Sequence, residues 1–178
     1  MGRKPTITRD RLLDVAEEIV RTGGGAALTI GALAQAAGIS KGGVQYSFAS
    51  KDDLVRALVE RWTSQFDALL GGESETDPLA FVRRYIAATR ASQQAMNAKM
   101  AGLLVSYLED PVNRRETRNW YRGIFHRLDG NSAAAQTARV AFLAVEGLFL
   151  MRMNGIDEKG DWTAFLDDVE VVLARLTI

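Results

Sequence analysis

The chain has 178 residues, 47% of them apolar and 25% charged, which is enough to bury a core in one or two small domains. It has no cysteine, which excludes a disulfide framework and a thiolate metal site. Its formal charge is zero, which argues against binding nucleic acid by bulk charge, yet the distribution is uneven. Residues 1–11 hold Arg3, Lys4, Arg9 and Arg11 against Asp10 alone, whereas residues 63–178 hold 13 Lys and Arg against 15 Asp and Glu. A basic arm leads a neutral to acidic body, as expected of a chain that docks one end on phosphate.

The amino terminus is charged without an apolar stretch behind it, which argues against a secretory signal. Thr29 caps a second helical pattern in which Ile30, Leu33, Ala34 and Ala37 share one stripe. Gly38 supplies a left-handed stop, and Ile39 is the apolar plug of a steep turn. Ser40 caps a third helix, Lys41 to Phe48, with Val44 and Phe48 facing inward and Lys41, Gln45 and Tyr46 facing out. Those outward residues match DNA: lysine for phosphate or guanine, glutamine for an adenine edge, a phenol for a phosphate oxygen. Gly42 and Gly43 weaken the helix, a cost that fits close approach of the backbone to another surface.

The fourth helix opens at Ser50 with Asp53 three residues on, and runs through Trp62 and Phe66 to Leu70. The polar run from Gly71 to Asp77 marks the clearest boundary. Asp77-Pro78 and Asp110-Pro111 each pair an N-cap with a proline at the first helical position. Between and after them lie helical patterns carrying Met96, Met100, Leu103, Leu104 and Tyr107, then Trp120, Tyr121 and Phe125. From Ser132 to Asn154 apolar or small residues occupy almost every side, with Arg139, Glu146 and Arg152 as the charges, so this helix needs cover on more than one face. Its most apolar run, Val140 to Met151, is 12 residues, short of the ~20 that span a bilayer. Asp161 caps a last helix with a stripe of Trp162, Phe165, Leu166, Val169, Val172, Leu173 and Leu176. No alternating strand pattern appears, so the class is all-α with about nine helices.

Between Thr29 and Leu54 the order and spacing of Thr29-Ile30, Leu33-Ala34, Ala37-Gly38-Ile39 and Ser40-Lys41-Gly42, with an aromatic pair before Ser50-Lys51-Asp52-Asp53-Leu54, resemble the amino-terminal domain of the TetR (tetracycline repressor) family of bacterial regulators. The resemblance covers about residues 8–60. Gln45 stands where the family usually has tyrosine and Ser47 where it often has histidine, which moves phosphate anchoring to Tyr46. The division implied is a DNA-binding domain over residues 1–49 and an effector-binding and dimerisation body over 50–178, joined by a helix over 50–70. The DNA-facing set is Arg3, Lys4, Thr29, Ser40, Lys41, Gly42, Gln45, Tyr46, Ser47 and Lys51.

The expected partners are a double-stranded operator, a second copy of the chain and a small apolar or amphipathic effector, with no membrane and no cofactor, in the bacterial cytoplasm. One recognition helix makes too few base contacts for specific binding, so two half-sites must be held about 34 Å apart. The expected dimer surface is Phe142, Val145, Leu148, Phe165, Val169, Val172, Leu173 and Leu176. Adaptable apolar walls for an effector are Met96, Met100, Leu103, Leu104, Tyr107, Trp120, Tyr121, Phe125, Phe142 and Phe149, with Glu146 either pairing with Arg139 or a partner's arginine, or holding a cationic or hydroxylated ligand. The single histidine, His126, and the absence of paired ligands or a phosphate loop leave no catalytic or metal set. An activating or architectural module with a protein partner, and a helical small-molecule carrier, are the competing readings.

Overall fold

The structure, a computed structural model, describes residues 7–71, 77–95, 98–154, 156 and 162–176. Among the described residues it is all helical: α1 Arg9–Gly23, α2 Ile30–Ala37, α3 Lys41–Gln45, α4 Lys51–Leu70, α5 Pro78–Ala95, α6 Ala98–Glu109, α7 Pro111–Arg127, α8 Ala133–Met153 and α9 Trp162–Arg175. The caps are those that the side chains dictate. Thr8, Thr29, Ser40, Ser50 and Ser132 each accept from a backbone N–H three residues ahead, and Asp110 accepts from Val112 and Asn113. The cap expected of Asp161 lies outside the described residues.

Gly38 ends α2 at φ 67°, the left-handed conformation that a side chain disfavours, and Ile39 N–H closes back on Ala34 O. The third helix is shorter than the expected Lys41 to Phe48. It ends at Gln45, where the low helix propensity of Gly42 and Gly43 gives way to a tighter turn, Ser47 N–H bonding Val44 O. Val44 and Phe48 are nonetheless both buried.

Two apolar cores form. The first gathers Leu12, Ala16 and Val20 of α1, Leu28, Leu33 of α2, Val44, Phe48, and Leu54, Leu58 and Trp62 of α4. Met100, Leu103 and Tyr107 of α6 complete it. The body therefore enters the amino-terminal core: α6 packs on α1 and α4, Gly25 leaves no room for a Cβ beside Leu103, and Lys51 Nζ donates to Gly25 O at 3.1 Å. The second core joins Phe81, Val82, Tyr85 and Ile86 of α5 to Ile124 and Leu128 of α7, Ala138, Phe142 and Val145 of α8, and Leu166 and Leu173 of α9.

Helix α8 is longer than its most apolar run. Residues Ala133–Arg152, with a mean hydropathy of 1.3, are long and apolar enough to cross a bilayer by length and composition. The expectation that no segment is long enough is corrected there, because alanines extend the apolar stretch on its amino-terminal side. Arg139 and Glu146 lie within it and find their hydrogen bonds inside the body, as expected of a bundle helix.

A polar clasp supports the first core. Arg61 Nη2 of α4 donates to Asp14 Oδ1 of α1 at 2.6 Å, and this bond holds the Asp14 carboxyl below the usual aspartate range. Stability from the pair is present above the unfolded aspartate pKa and is lost as pH falls through the lowered one. Both groups are partly exposed, so the contribution is below about 1 kcal/mol. Two outcomes are expected in urea titrations. Leu103→Ala costs about 2–5 kcal/mol, the range for a buried leucine, and Arg61→Gln flattens the acid limb of the stability profile below about pH 4 while leaving the neutral plateau nearly unchanged.

Candidate nucleic-acid interface and aromatic site

The steep α2–α3 turn presents one end of the molecule. Val44 and Phe48 fasten α3 from beneath, and the guanidinium of Arg9 lies 5.0 Å over the Phe48 ring, tying the start of α1 to the same spot. On the outer side Lys41, Gly42 and Gln45 are exposed and Tyr46 is 93% exposed, while Ser47 is half-buried. An aromatic ring left almost wholly in water at the end of a five-residue helix serves no packing purpose. Thr29 and Ser40 use their hydroxyls as helix caps, at 3.0 Å from Ala32 N and 3.1 Å from Gly43 N. Lys51 is tethered to the Gly25 carbonyl. Lys41 lays its stem along α2 near Gly31, which keeps its ammonium at the α2–α3 face. Arg3 and Lys4 lie outside the described residues.

The expected effector wall divides in two. Met100, Leu103 and Tyr107 are buried in the first core and Leu104 packs against it, because the apolar stripe of α6 is turned toward α1 and α4. These residues lie at the join between the two parts of the chain. Met96 lies outside the described residues.

The remaining residues do converge. Trp120 and Tyr121 meet edge to face at 5.0 Å, Phe125 lies 5.9 Å from Phe142, and Phe142 lies 5.0 Å from Tyr85. Phe149, one turn beyond Glu146, is half-buried. Both phenols, Tyr85 and Tyr121, donate to Glu146, one to each carboxylate oxygen. Burial first, and then the Glu146 charge, push both phenol pKa values well above the ordinary tyrosine range, so both stay protonated donors. Arg139 is not the partner of Glu146; it donates instead to Leu128 O at 2.7 Å and Gly130 O at 2.8 Å.

Sequence reasoning missed three members of this cluster. Tyr85 and Phe66 sit in ordinary amphipathic patterns, with ring centroids 5.3 Å apart in the structure. Asp67 of α4 accepts from Trp120 Nε1 of α7 at 2.8 Å, a pairing across 53 residues with no sequence signal.

Of the expected dimer surface, Phe142, Val145 and Leu173 are buried in the second core, and Leu148 and Val169 are half-buried against it. Phe165, Val172 and Leu176 are exposed on α9, and beside them α8 exposes Val140, Leu143, Leu150 and Met151. Between the two helices runs an open apolar groove whose lining includes Val140, Ala144, Val169, Val172, Leu173 and Leu176.

Comparisons with known proteins follow the same division. Residues 12–58 match the family described as bacterial regulatory proteins, tetR family, and residues 79–174, more than half of the chain, match the tetracyclin repressor-like C-terminal domain. The chain is similar to the HTH-type transcriptional regulator TtgR of Pseudomonas putida, 25% identical over 90% of this chain and 88% of that protein. An uncharacterized HTH-type transcriptional regulator from Xanthobacter autotrophicus is 37% identical over 51% of this chain and 43% of its own length. Among solved structures, a transcriptional regulator (TerR/AcrR family) from Aquifex aeolicus VF5 superposes with a TM-score of 0.68 at 17% identity, covering 94% of this chain and 98% of that one. The multidrug binding protein EbrR complexed with malachite green gives 0.68 at 22% identity, covering 94% and 96%.

Gly42 separates the two demands on α3. A Cβ there meets only Ser40 Oγ at 3.9 Å, whereas at Gly43 it meets Ile39 Cδ1 at 3.3 Å. Gly42→Ala is therefore expected to stabilise the DNA-free protein by up to about 1 kcal/mol and Gly43→Ala by less, read from urea midpoints.

Proposed function

The chain belongs to the TetR family of bacterial regulatory proteins, and on that premise we propose that it is a homodimeric repressor, released from a palindromic operator by a small-molecule effector. The observation that carries the DNA half is the α2–α3 unit: a short helix pinned by Val44 and Phe48 that projects Lys41, Gln45 and Tyr46 into solvent. In this reading α3 enters the major groove. Gln45 reads a base edge, Tyr46 and Lys41 hold phosphate or guanine, and the capped starts of α2, α3 and α4 at Thr29, Ser40 and Lys51 face the backbone. Arg3 and Lys4 supply the basic arm. Residues 1–49 form the reading head and 50–178 the effector and dimer body, with α4 as the link.

The dimer half rests on exposed apolar surface on two neighbouring helices, α8 and α9, which a second copy buries by two-fold symmetry as a four-helix bundle. That symmetry sets two α3 helices on successive major grooves, and the site of action is the cytoplasm, where the DNA lies. The effector half rests on the aromatic cluster around Glu146. The fold neighbour EbrR is described as a multidrug binding protein complexed with ethidium, and a TetR variant from Acinetobacter baumannii with the same fold is described in complex with minocycline. An effector seated among Trp120, Tyr121 and Phe142 acts on α4 through the Trp120–Asp67 bond and on α1 through α6, which shifts the spacing of the reading heads.

Tyr46→Ala and Lys41→Ala are each expected to weaken operator binding by about 1–3 kcal/mol per half-site, with helicity and mass unchanged, in fluorescence anisotropy at fixed salt. An unaltered affinity removes α3 from the interface. Leu143→Asp and Val172→Asp, placed on exposed positions, are expected to yield a folded monomer by light scattering with weakened operator binding, because each buries an unpaired charge in the seam. A native chain that is monomeric at micromolar concentration overturns the dimer. Operator binding that no small molecule relieves favours a DNA-binding module with a protein partner.

A further inference from the structure

We propose that Glu146, held by Tyr85 and Tyr121, is the recognition centre of the effector site and that it selects a lipophilic cation. The inference rests on the ligand-responsive reading above and names the chemical class that this reading leaves open.

A carboxylate half-buried among apolar side chains is costly unless something compensates it. Here each oxygen accepts from one phenol, which spreads the charge without cancelling it. Glu146 forms no ion pair among the described residues; of the two guanidiniums on its helix, Arg139 is occupied by two backbone carbonyls and Arg152 lies 5.5 Å over the Trp162 ring. A unit negative charge thus remains inside a group of rings. Phe142 lies 5.0 Å from Tyr85 and 5.9 Å from Phe125, and Trp120 lies 5.0 Å from Tyr121.

Ring faces are themselves negative, so the same surroundings that disfavour a second anion attract a cation. A cation on Glu146 gains an ion pair and ring contacts together, in a partly desolvated site where both are stronger than in water. A neutral ligand of the same shape gains only the apolar contacts. Access lies on the α7 side: Phe125 is 50% exposed although its ring rests on Phe142 and Tyr121, so a side-chain rotation uncovers the cluster. The lipophilic part of the ligand follows from the rest of the lining, which is aromatic.

Tetraphenylphosphonium and tetraphenylborate share one shape and one apolar surface with opposite charge, and calorimetric titration of both into the native full-length protein tests the claim. The phosphonium is expected to bind at least tenfold more tightly than the borate, and Glu146→Gln, its helicity and mass checked, to lower phosphonium affinity at least tenfold. Equal or tighter borate binding, binding of neither ion, or a phosphonium affinity within twofold of native in Glu146→Gln overturns the proposal. The native comparison stands even if the variant fails to fold. Operator release is read separately by anisotropy with the same ions. Glu146-dependent phosphonium binding that leaves the operator complex intact sustains the cation site and overturns the release reading. Release by a neutral ligand alone, with no phosphonium bound, does the reverse.

Discussion

Helix α8 carries more apolar surface than one small core can cover, and the architecture is organised by that excess. Its inner side gives Ala138, Phe142 and Val145 to the second core, while Val140, Leu143, Leu150 and Met151 remain on the outside with Phe165, Val172 and Leu176 of α9 beside them. Scattered apolar side chains on a surface call for no explanation, but two adjacent helices lined this way form a patch that water penalises by roughly 25 cal/mol per Å². A second copy offers the same patch, and a two-fold axis is the arrangement in which one surface covers itself. In the homodimer we propose, this unspecific force becomes the ruler that sets the distance between two reading heads.

The ruler is useful only if the head cannot move freely on the body. Met100, Leu103 and Tyr107 lock α6 into the amino-terminal core, and Asn113 Nδ2 donates to the Tyr107 carbonyl at 3.1 Å, fastening α6 to the start of α7. From α7 the chain of contacts continues through Trp120 to Asp67 on α4 and through Tyr121 to Glu146 on α8. Helix α7 therefore touches every part that the proposed switch requires: the effector cluster, the dimer helix and the link to the head. The sequence assigns that link to α4 alone. The structure adds α6 as a second, apolar bridge, packed in the first core with α1 and α4.

Elements governed by neighbouring residues were legible in the sequence. The caps at Thr29, Ser40, Ser50 and Asp110, the left-handed Gly38 and the inward Val44 and Phe48 all depend on contacts within a few positions. What depends on the phase of a helix was not legible where the helix is apolar all round. On α8, Phe142, Val145 and Leu148 lie on one side and Val140, Leu143 and Leu150 on another, and periodicity does not say which side turns inward when both are apolar. The same limit left the sequence silent on Met100 and Leu103 joining the first core. Pairings between distant helices, such as Tyr85 with Glu146, leave no trace in a single chain. The solitary Glu146 was visible; its partners were not.

The absence of cysteine makes the central claim open to a direct measurement. Ala49 is exposed just beyond α3, so Ala49→Cys carries one nitroxide label per chain at the reading head. Pulsed electron–electron double resonance on the operator complex should show one inter-label separation centred near about 34 Å, the rise of one turn of B-DNA, broadened by the reach of the label. Absence of any dipolar modulation at micromolar protein, or a separation that no pair of successive major grooves can match, would contradict the dimer and the spacing it imposes.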